Sequence, residues 1–154
     1  MLSAWRLVNE DWIDAAFSGD GSRRYGGRWS SKGNRAIYLA DSLALATLEI
    51  MVHAVTYADL QYYLFVEVRF TGNLIEKVPA ENLPDNWHED PPPLSTRQLG
   101  DRWIEARTSP VLKIPNAVIP VGFNYMLNPE HPDFDKIKFG RPQPFVFDAR
   151  LIKP

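Results

Sequence analysis

Between Ser42 and Ala54 the chain reads SLALATLEIMVHA, a stretch in which only Glu49 and His53 can ionise. At about 100° per residue, Leu45, Leu48, Glu49 and Val52 share one stripe of a helix, and Leu43, Ala44, Ala46, Ile50 and Met51 occupy its other faces. A helix apolar on nearly every side is expected to be buried almost all round, so the fold must provide layers to cover it. A lone glutamate at its centre then costs several kcal/mol in lost hydration unless it is paired or lines a polar cleft. Two readings follow. Glu49 makes an i,i+4 pair with His53 or a buried bridge to an arginine, as architecture, or it points into a ligand pocket.

The neighbouring segments set the context of that helix. Ala36–Ala40 (AIYLA) has the length and composition of a strand, and Asp41 is suited to cap the helix that follows. Upstream, Asn9–Asn34 is rich in Gly and Ser and reads as a short helix plus a long loop. Between Gly21 and Ala40 lie Arg23, Arg24, Arg28, Lys32 and Arg35 and no acidic residue, which makes either a local anion site or a solvated basic loop. Further strands are expected at Ala4–Val8, Tyr62–Phe70, from Asn73 onward, in SPVLKIP and AVIPVGF, and at Phe145–Leu151. A second helix is expected over Ser95–Arg107 with Ser95 as its cap, and Pro84–Pro93 is a proline- and acid-rich surface loop. NYMLNPEHPDF is expected to be a turn-rich excursion. Strands outnumber helices without alternating with them, which favours an α+β domain with a mixed sheet over a doubly wound one.

Length and composition narrow the function classes. The chain of 154 residues is expected to be a single domain spanning 1–154. A formal net charge of −2 disfavours direct nucleic-acid binding. No apolar run approaches the roughly 20 residues of a membrane span. The N-terminus MLSAWRLVNEDWIDAAF lacks a basic leader and a continuous apolar block, so a cytoplasmic location is expected. The absence of cysteine excludes thiolate chemistry and disulfides. His53, His88 and His131 show no ligand spacing, and no metal is expected.

Three further residues are candidates. Arg6 sits inside the apolar strand AWRLV, where a guanidinium needs an anion or an open face. Tyr38 in AIYLA is either core with a satisfied hydroxyl or part of a site. Ser109, directly before Pro110, is either a turn residue or a ligand contact. The glycine-rich GSRRYGGRW is not a G-x-G-x-x-G fingerprint between strand and helix, which disfavours hydride chemistry on a dinucleotide-binding Rossmann domain.

Taken in order, AWRLV, GGRWSSKGNRAIYLADSLALATLEIMVHA and SPVLKIPNAVIPVGFNYMLNPEHPDF resemble the RES domain, a family named for arginine, glutamate and serine, over Trp5–Phe147. Its members are toxins of bacterial toxin–antitoxin pairs. The resemblance implies an ADP-ribosyltransferase-like α+β fold, a mixed β-sheet core with flanking helices, that binds NAD+ and breaks its nicotinamide–ribose bond. Position by position it assigns the strand arginine to Arg6, the loop arginine to Arg28, the aromatic to Tyr38, the helix glutamate to Glu49 and the serine to Ser109. The chain departs from the family pattern at Asn116, where many relatives carry a serine after the proline.

The implied chemistry suits these residue types. Nicotinamide leaves as a neutral ring, so the ribose passes through an oxocarbenium-like state that a carboxylate at Glu49 would stabilise. Arg6 and Arg28 would grip the pyrophosphate, Tyr38 would stack on nicotinamide, Ser109 would fix nicotinamide or a phosphate, and His53 would orient Glu49. Phosphate or water would accept the ADP-ribose. An alternative is transfer of ADP-ribose to a cellular protein, and another is a non-catalytic module in which Glu49 and the arginines form buried bridges. The resemblance also implies an antitoxin with a helix-turn-helix domain of the Xre kind that covers the NAD+ site. Exposed aromatics, including some of the five tryptophans, would serve that interface or a homodimer.

Overall fold

Apolar positions in the first segment make a strand, β1 (Leu2–Asn9), that buries Ala4, Leu7 and Val8. It pairs with antiparallel β3 (Tyr63–Phe70) at every position from Leu2 opposite Phe70 to Asn9 opposite Tyr63. On its other side lies β2 (Ile37–Ala40), and here the pairing is limited to Trp5 opposite Ala40. From β2 the sheet continues through antiparallel β6 (Phe123–Leu127) and β5 (Val111–Pro115) to β4 (Ile75–Lys77), which runs parallel to β5. Two short strands, β7 (Lys138–Phe139) and β8 (Gln143–Phe145), pair with β3 at the far edge. The computed structural model describes residues 1–152. The last two residues of the expected 1–154 domain lie outside the described residues.

The period-2 geometry of strands sorts side chains onto two faces. Register places Ile37, Leu127 and Val111 together, with Leu39 and Tyr125, in a cluster that also holds Ala4, Val66, Val68 and Phe70. The other face of the same strands carries Tyr38, Met126 and Leu112, then Ala40, Asn124 and Ile114. Helix α3 (Leu94–Ala106) covers that face through Trp103 and Ile104, which pack with Trp29, Met126 and Leu112. Helix α2 (Leu43–His53) covers Ala40 and Leu7 with Leu45 and Ala46. A short helix, α1 (Asp20–Tyr25), opens the loop that leads to β2.

That loop is pinned to α3 rather than free in solvent. Asp101 accepts hydrogen bonds from Ser31 N–H at 2.8 Å, Ser31 Oγ at 2.6 Å and Asn34 Nδ2 at 2.8 Å. Thr96 Oγ1 donates to the Arg28 carbonyl at 2.6 Å. The close approach requires a glycine on the helix, since a Cβ at Gly100 would lie 1.6 Å from the Trp29 carbonyl oxygen. None of the described helices is long and apolar enough to cross a membrane.

Several local expectations are corrected. The cap of α2 is Ser42, whose Oγ accepts from Leu45 N–H at 3.0 Å, because Asp41 is engaged with Phe123 N–H at 2.9 Å. Helix α2 is not buried all round: Leu48 is 41% and Val52 59% exposed, so its apolar outer face is uncovered. Helix α3 starts at Leu94 behind Pro93, and Ser95 Oγ donates to Asn86 Oδ1 instead of capping. AVIPVGF is a turn up to Gly122, in which Asn116 Oδ1 accepts from Val118 and Ile119 N–H, and the strand comes later, at Phe123–Leu127, within the stretch expected to be a turn-rich excursion. Of the last expected strand, Phe145–Leu151, only Phe145 is extended in a strand, as the end of β8, and Ala149–Leu151 is a 3-10 turn.

Gly100→Ala is expected to lower unfolding free energy by about 3 kcal/mol, because neither backbone can yield the space. Gly21→Ala, in α1 with nothing within 4 Å of its added Cβ, should leave stability unchanged or slightly higher. Urea unfolding of the two variants beside the wild type makes the comparison.

Candidate active site

Because β1 and β2 pair only at Trp5 and Ala40, the Tyr38 carbonyl beyond that bridge is taken by a side chain instead of a strand. Arg6 Nη1 donates to it at 2.8 Å, while Arg6 Nε is buried with no partner among the described residues. Burial lowers the Arg6 pKa from its ordinary value, although a guanidinium remains charged. A cleft of about 590 Å³ adjoins this point, and Arg6, Arg28, Tyr38, Glu49 and His53 all line it. Four segments thus converge: β1, the pinned loop, β2 and α2.

Glu49 is half-buried, and its Oε1 accepts from Asn116 Nδ2 at 2.9 Å and Asn124 Nδ2 at 2.8 Å. Burial pushes its pKa above the usual carboxylate value, the two amides pull it down, and the charge of Asp41 adds to the upward push. Among the described residues Glu49 receives no hydrogen bond from His53, so the expected i,i+4 pair is not formed. His53 lies exposed on the rim.

Tyr38 forms a wall of the cleft with its hydroxyl tied down. The hydroxyl hydrogen-bonds Ser30 Oγ at 2.6 Å and accepts from Trp29 N–H at 3.3 Å. Burial pushes its pKa up to about 12, which keeps it protonated at neutral pH. Gly27 lies against it so closely that an added Cβ would be 2.7 Å from the Tyr38 oxygen. Arg28 Nη1 donates to the carbonyls of Trp87 at 3.2 Å and Glu89 at 2.5 Å. The Pro84–Pro93 loop is thereby drawn to the cleft, where His88 and Asp90 join the lining.

Other basic residues of the loop do not join a common anion site. Arg23 and Arg24 pair with Asp20 at 2.6 and 2.8 Å, and Arg35 approaches it at 3.9 Å. Hydrogen bonding from Arg23, reinforced by all three charges, holds the Asp20 carboxyl below its usual range. Ser109 lies outside the residues that line the cleft. It is buried, accepts from Trp103 Nε1 at 2.9 Å and has Glu76 Oε2 and the Val111 carbonyl within 3.1 Å. These bonds tie the end of α3 to the start of β5.

The residue at the cleft is Asn116, the position at which the sequence departs from the family pattern. Asn116 and Asn124 were the site residues that spacing did not single out, and the departure at Asn116 was the available signal. Nothing in the sequence pointed to His88 and Asp90. No group of three or more His, Cys, Asp or Glu side chains converges among the described residues in a way that could hold a metal ion.

Residues 3–148 match the RES domain. A protein named Toxin Res from Yersinia enterocolitica is 34% identical over 151 residues, covering 97% of this chain and 99% of that protein. One named Prs ADP-ribosylating toxin, from Sphingobium sp., is 31% identical over 157 residues, covering 98% of this chain and 97% of that protein. Among solved structures, a chain of the M. tuberculosis MbcT–MbcA toxin–antitoxin complex superposes with a TM-score of 0.73 at 18% identity, over 92% of this chain and 82% of that chain. That likeness concerns the fold, and it agrees with the mixed sheet with flanking helices expected from the sequence. With nearly the full length matched by the domain and by relatives above 30% identity, this chain belongs to the RES domain family.

Proposed function

We propose that this protein is the toxin of a toxin–antitoxin pair and that it consumes NAD+ by cleaving the bond between nicotinamide and ribose. The observation that carries this reading is Glu49, a carboxylate gripped by two amides and facing a cleft that also holds Arg6, Arg28 and Tyr38. The cleft volume of about 590 Å³ falls in the range of small-molecule sites.

In this mechanism the C–N bond breaks with its electron pair going to nicotinamide, which leaves neutral. Positive charge grows on the ribose, and the Glu49 carboxylate stabilises it or holds a ribose hydroxyl. An oxygen of phosphate or water then forms the new bond to carbon, water losing a proton in the process. Arg6 and Arg28 bind the pyrophosphate with charge-assisted hydrogen bonds. The Tyr38 ring, immobilised through Ser30, offers a face for nicotinamide, and its hydroxyl stays protonated and takes no part as a base.

A second reading, transfer of ADP-ribose to a protein side chain, is favoured by the relative named Prs ADP-ribosylating toxin. Labelled NAD+ leaves a stable mark on a protein under that reading and yields only small products under the first. The partner in either case is an antitoxin with an Xre-like helix-turn-helix domain. Apolar Val52 and Val118 at the cleft rim, both exposed, suit a covering partner.

Purified wild type is expected to release nicotinamide from NAD+, and Glu49→Ala to lower the rate by about a thousandfold. Equal release by the two proteins would sink the mechanism. Stability gives an independent check. Since the folded-state pKa of Glu49 is raised, its ionisation costs stability once pH passes the unfolded value near about 4.3, and the cost vanishes below it. Glu49→Gln should therefore melt above wild type at pH 7 and converge on it at or below about pH 4. A lower melting temperature at pH 7 would make Glu49 a structural bridge instead.

A further inference from the structure

The two amides beside Glu49 are used to their full donor capacity. Asn116 Nδ2 donates to Glu49 Oε1 at 2.9 Å and to Asn124 Oδ1 at 2.8 Å. Asn124 Nδ2 donates to Glu49 Oε1 at 2.8 Å and to the Leu39 carbonyl at 3.1 Å. Each NH2 group has two hydrogens, so none is left over. The orientations are also fixed. Asn116 Oδ1 accepts from Val118 N–H and Ile119 N–H, both at 2.8 Å, and a flipped amide would turn its donors against these two donors. A flipped Asn124 would aim its oxygen at the Leu39 carbonyl and at Glu49. Both lone pairs of Oε1 are occupied, whereas Oε2 receives no donor among the described residues.

We infer that Asn116 and Asn124 are positioning residues for Glu49, forming a two-amide clamp that holds Oε1 and leaves Oε2 alone to face the substrate. This rests on the reading of Glu49 as the carboxylate at the reacting ribose. A clamp of this kind fixes the free oxygen without a cation, so the negative charge is not neutralised before substrate arrives. It also favours the ionised carboxylate against its burial. The other titratable groups around the cleft are Asp41 at the start of α2, His53 at its end, Arg6 on β1 and Tyr38 on β2. Arg28, His88 and Asp90 lie on the loops.

Asn116→Asp keeps an oxygen for the Val118 and Ile119 donors and replaces the NH2 group by a second acceptor. Asn116→Ala and Asn124→Ala remove one amide donor to Glu49 each without adding charge or another donor. The carboxyl carbon of Glu49, assigned in 13C-glutamate-labelled protein by its absence from Glu49→Gln, is expected to titrate at higher pH in both alanine variants. In Asn116→Asp the two carboxyls titrate as a coupled pair, with the upper step higher still. In nicotinamide release, kcat should fall by about a hundredfold with KM little changed, and the acid limb should move to higher pH. On the Glu49→Gln background Asn116→Asp should cost nothing further.

An unchanged Glu49 titration in the variants overturns the clamp, and so does a loss that adds fully to that of Glu49→Gln. The alanine variants carry the test if Asn116→Asp fails to show a cooperative melt. Because the titration needs no turnover, an inactive wild type would overturn the proposed function and leave the clamp to be judged by NMR.

Discussion

A carboxylate on an uncharged helix must recover its lost hydration from outside that helix, and the organisation around Glu49 follows from this need. Its hydrogen-bond donors come from β6 and from the turn after β5. They reach it because β6 pairs with β2 in the register that sets Asn124 opposite Ala40, immediately before α2 begins. The order β5, β6, β2 is thus what brings two distant asparagines to one glutamate. Shifting β6 by one residue would send Asn124 to the opposite face and Tyr125 toward the carboxylate.

The cations are placed by different means. Arg6 owes its position to the early end of pairing between β1 and β2, which leaves a backbone carbonyl for its guanidinium. Arg28 depends on a loop that has no regular structure of its own and borrows rigidity from α3 through Asp101, Thr96 and the Gly100 contact. A long loop can therefore carry a precisely located side chain, provided a helix satisfies its backbone.

Much of this was legible in the chain. The apolar helix with one carboxylate, the strands on either side of it and the α+β character all follow from periodicity, and Arg6, Arg28, Tyr38, Glu49 and His53 do meet at one cleft. What failed depended on tertiary contacts. Hydrophobicity alone makes AVIPVGF look like a strand, yet the Asn116 side chain satisfies the two following N–H groups and turns the chain. Ser109 matched by order and distance, whereas the nearby Trp103 and Glu76 claim its hydroxyl. The basic loop left an anion site and a solvated loop equally open because Asp20, which pairs with Arg23 and Arg24, stands just outside the acid-free window. An apolar helix surface does not announce whether protein covers it, so the exposure of Leu48 and Val52 was not readable.

Arg28 reaches the cleft already engaged, with Nη1 on the carbonyls of Trp87 and Glu89. Any ligand group that recruits this nitrogen competes with two good neutral acceptors, so its net gain is the difference between the two bonds and not the whole of one. A neutral hydroxyl or amide would gain almost nothing by the exchange, whereas an anionic oxygen keeps a clear advantage. The Pro84–Pro93 loop thus acts as an internal ligand of Nη1, and a molecule that meets Arg28 without this exchange has to use the N–H groups of Nε and Nη2.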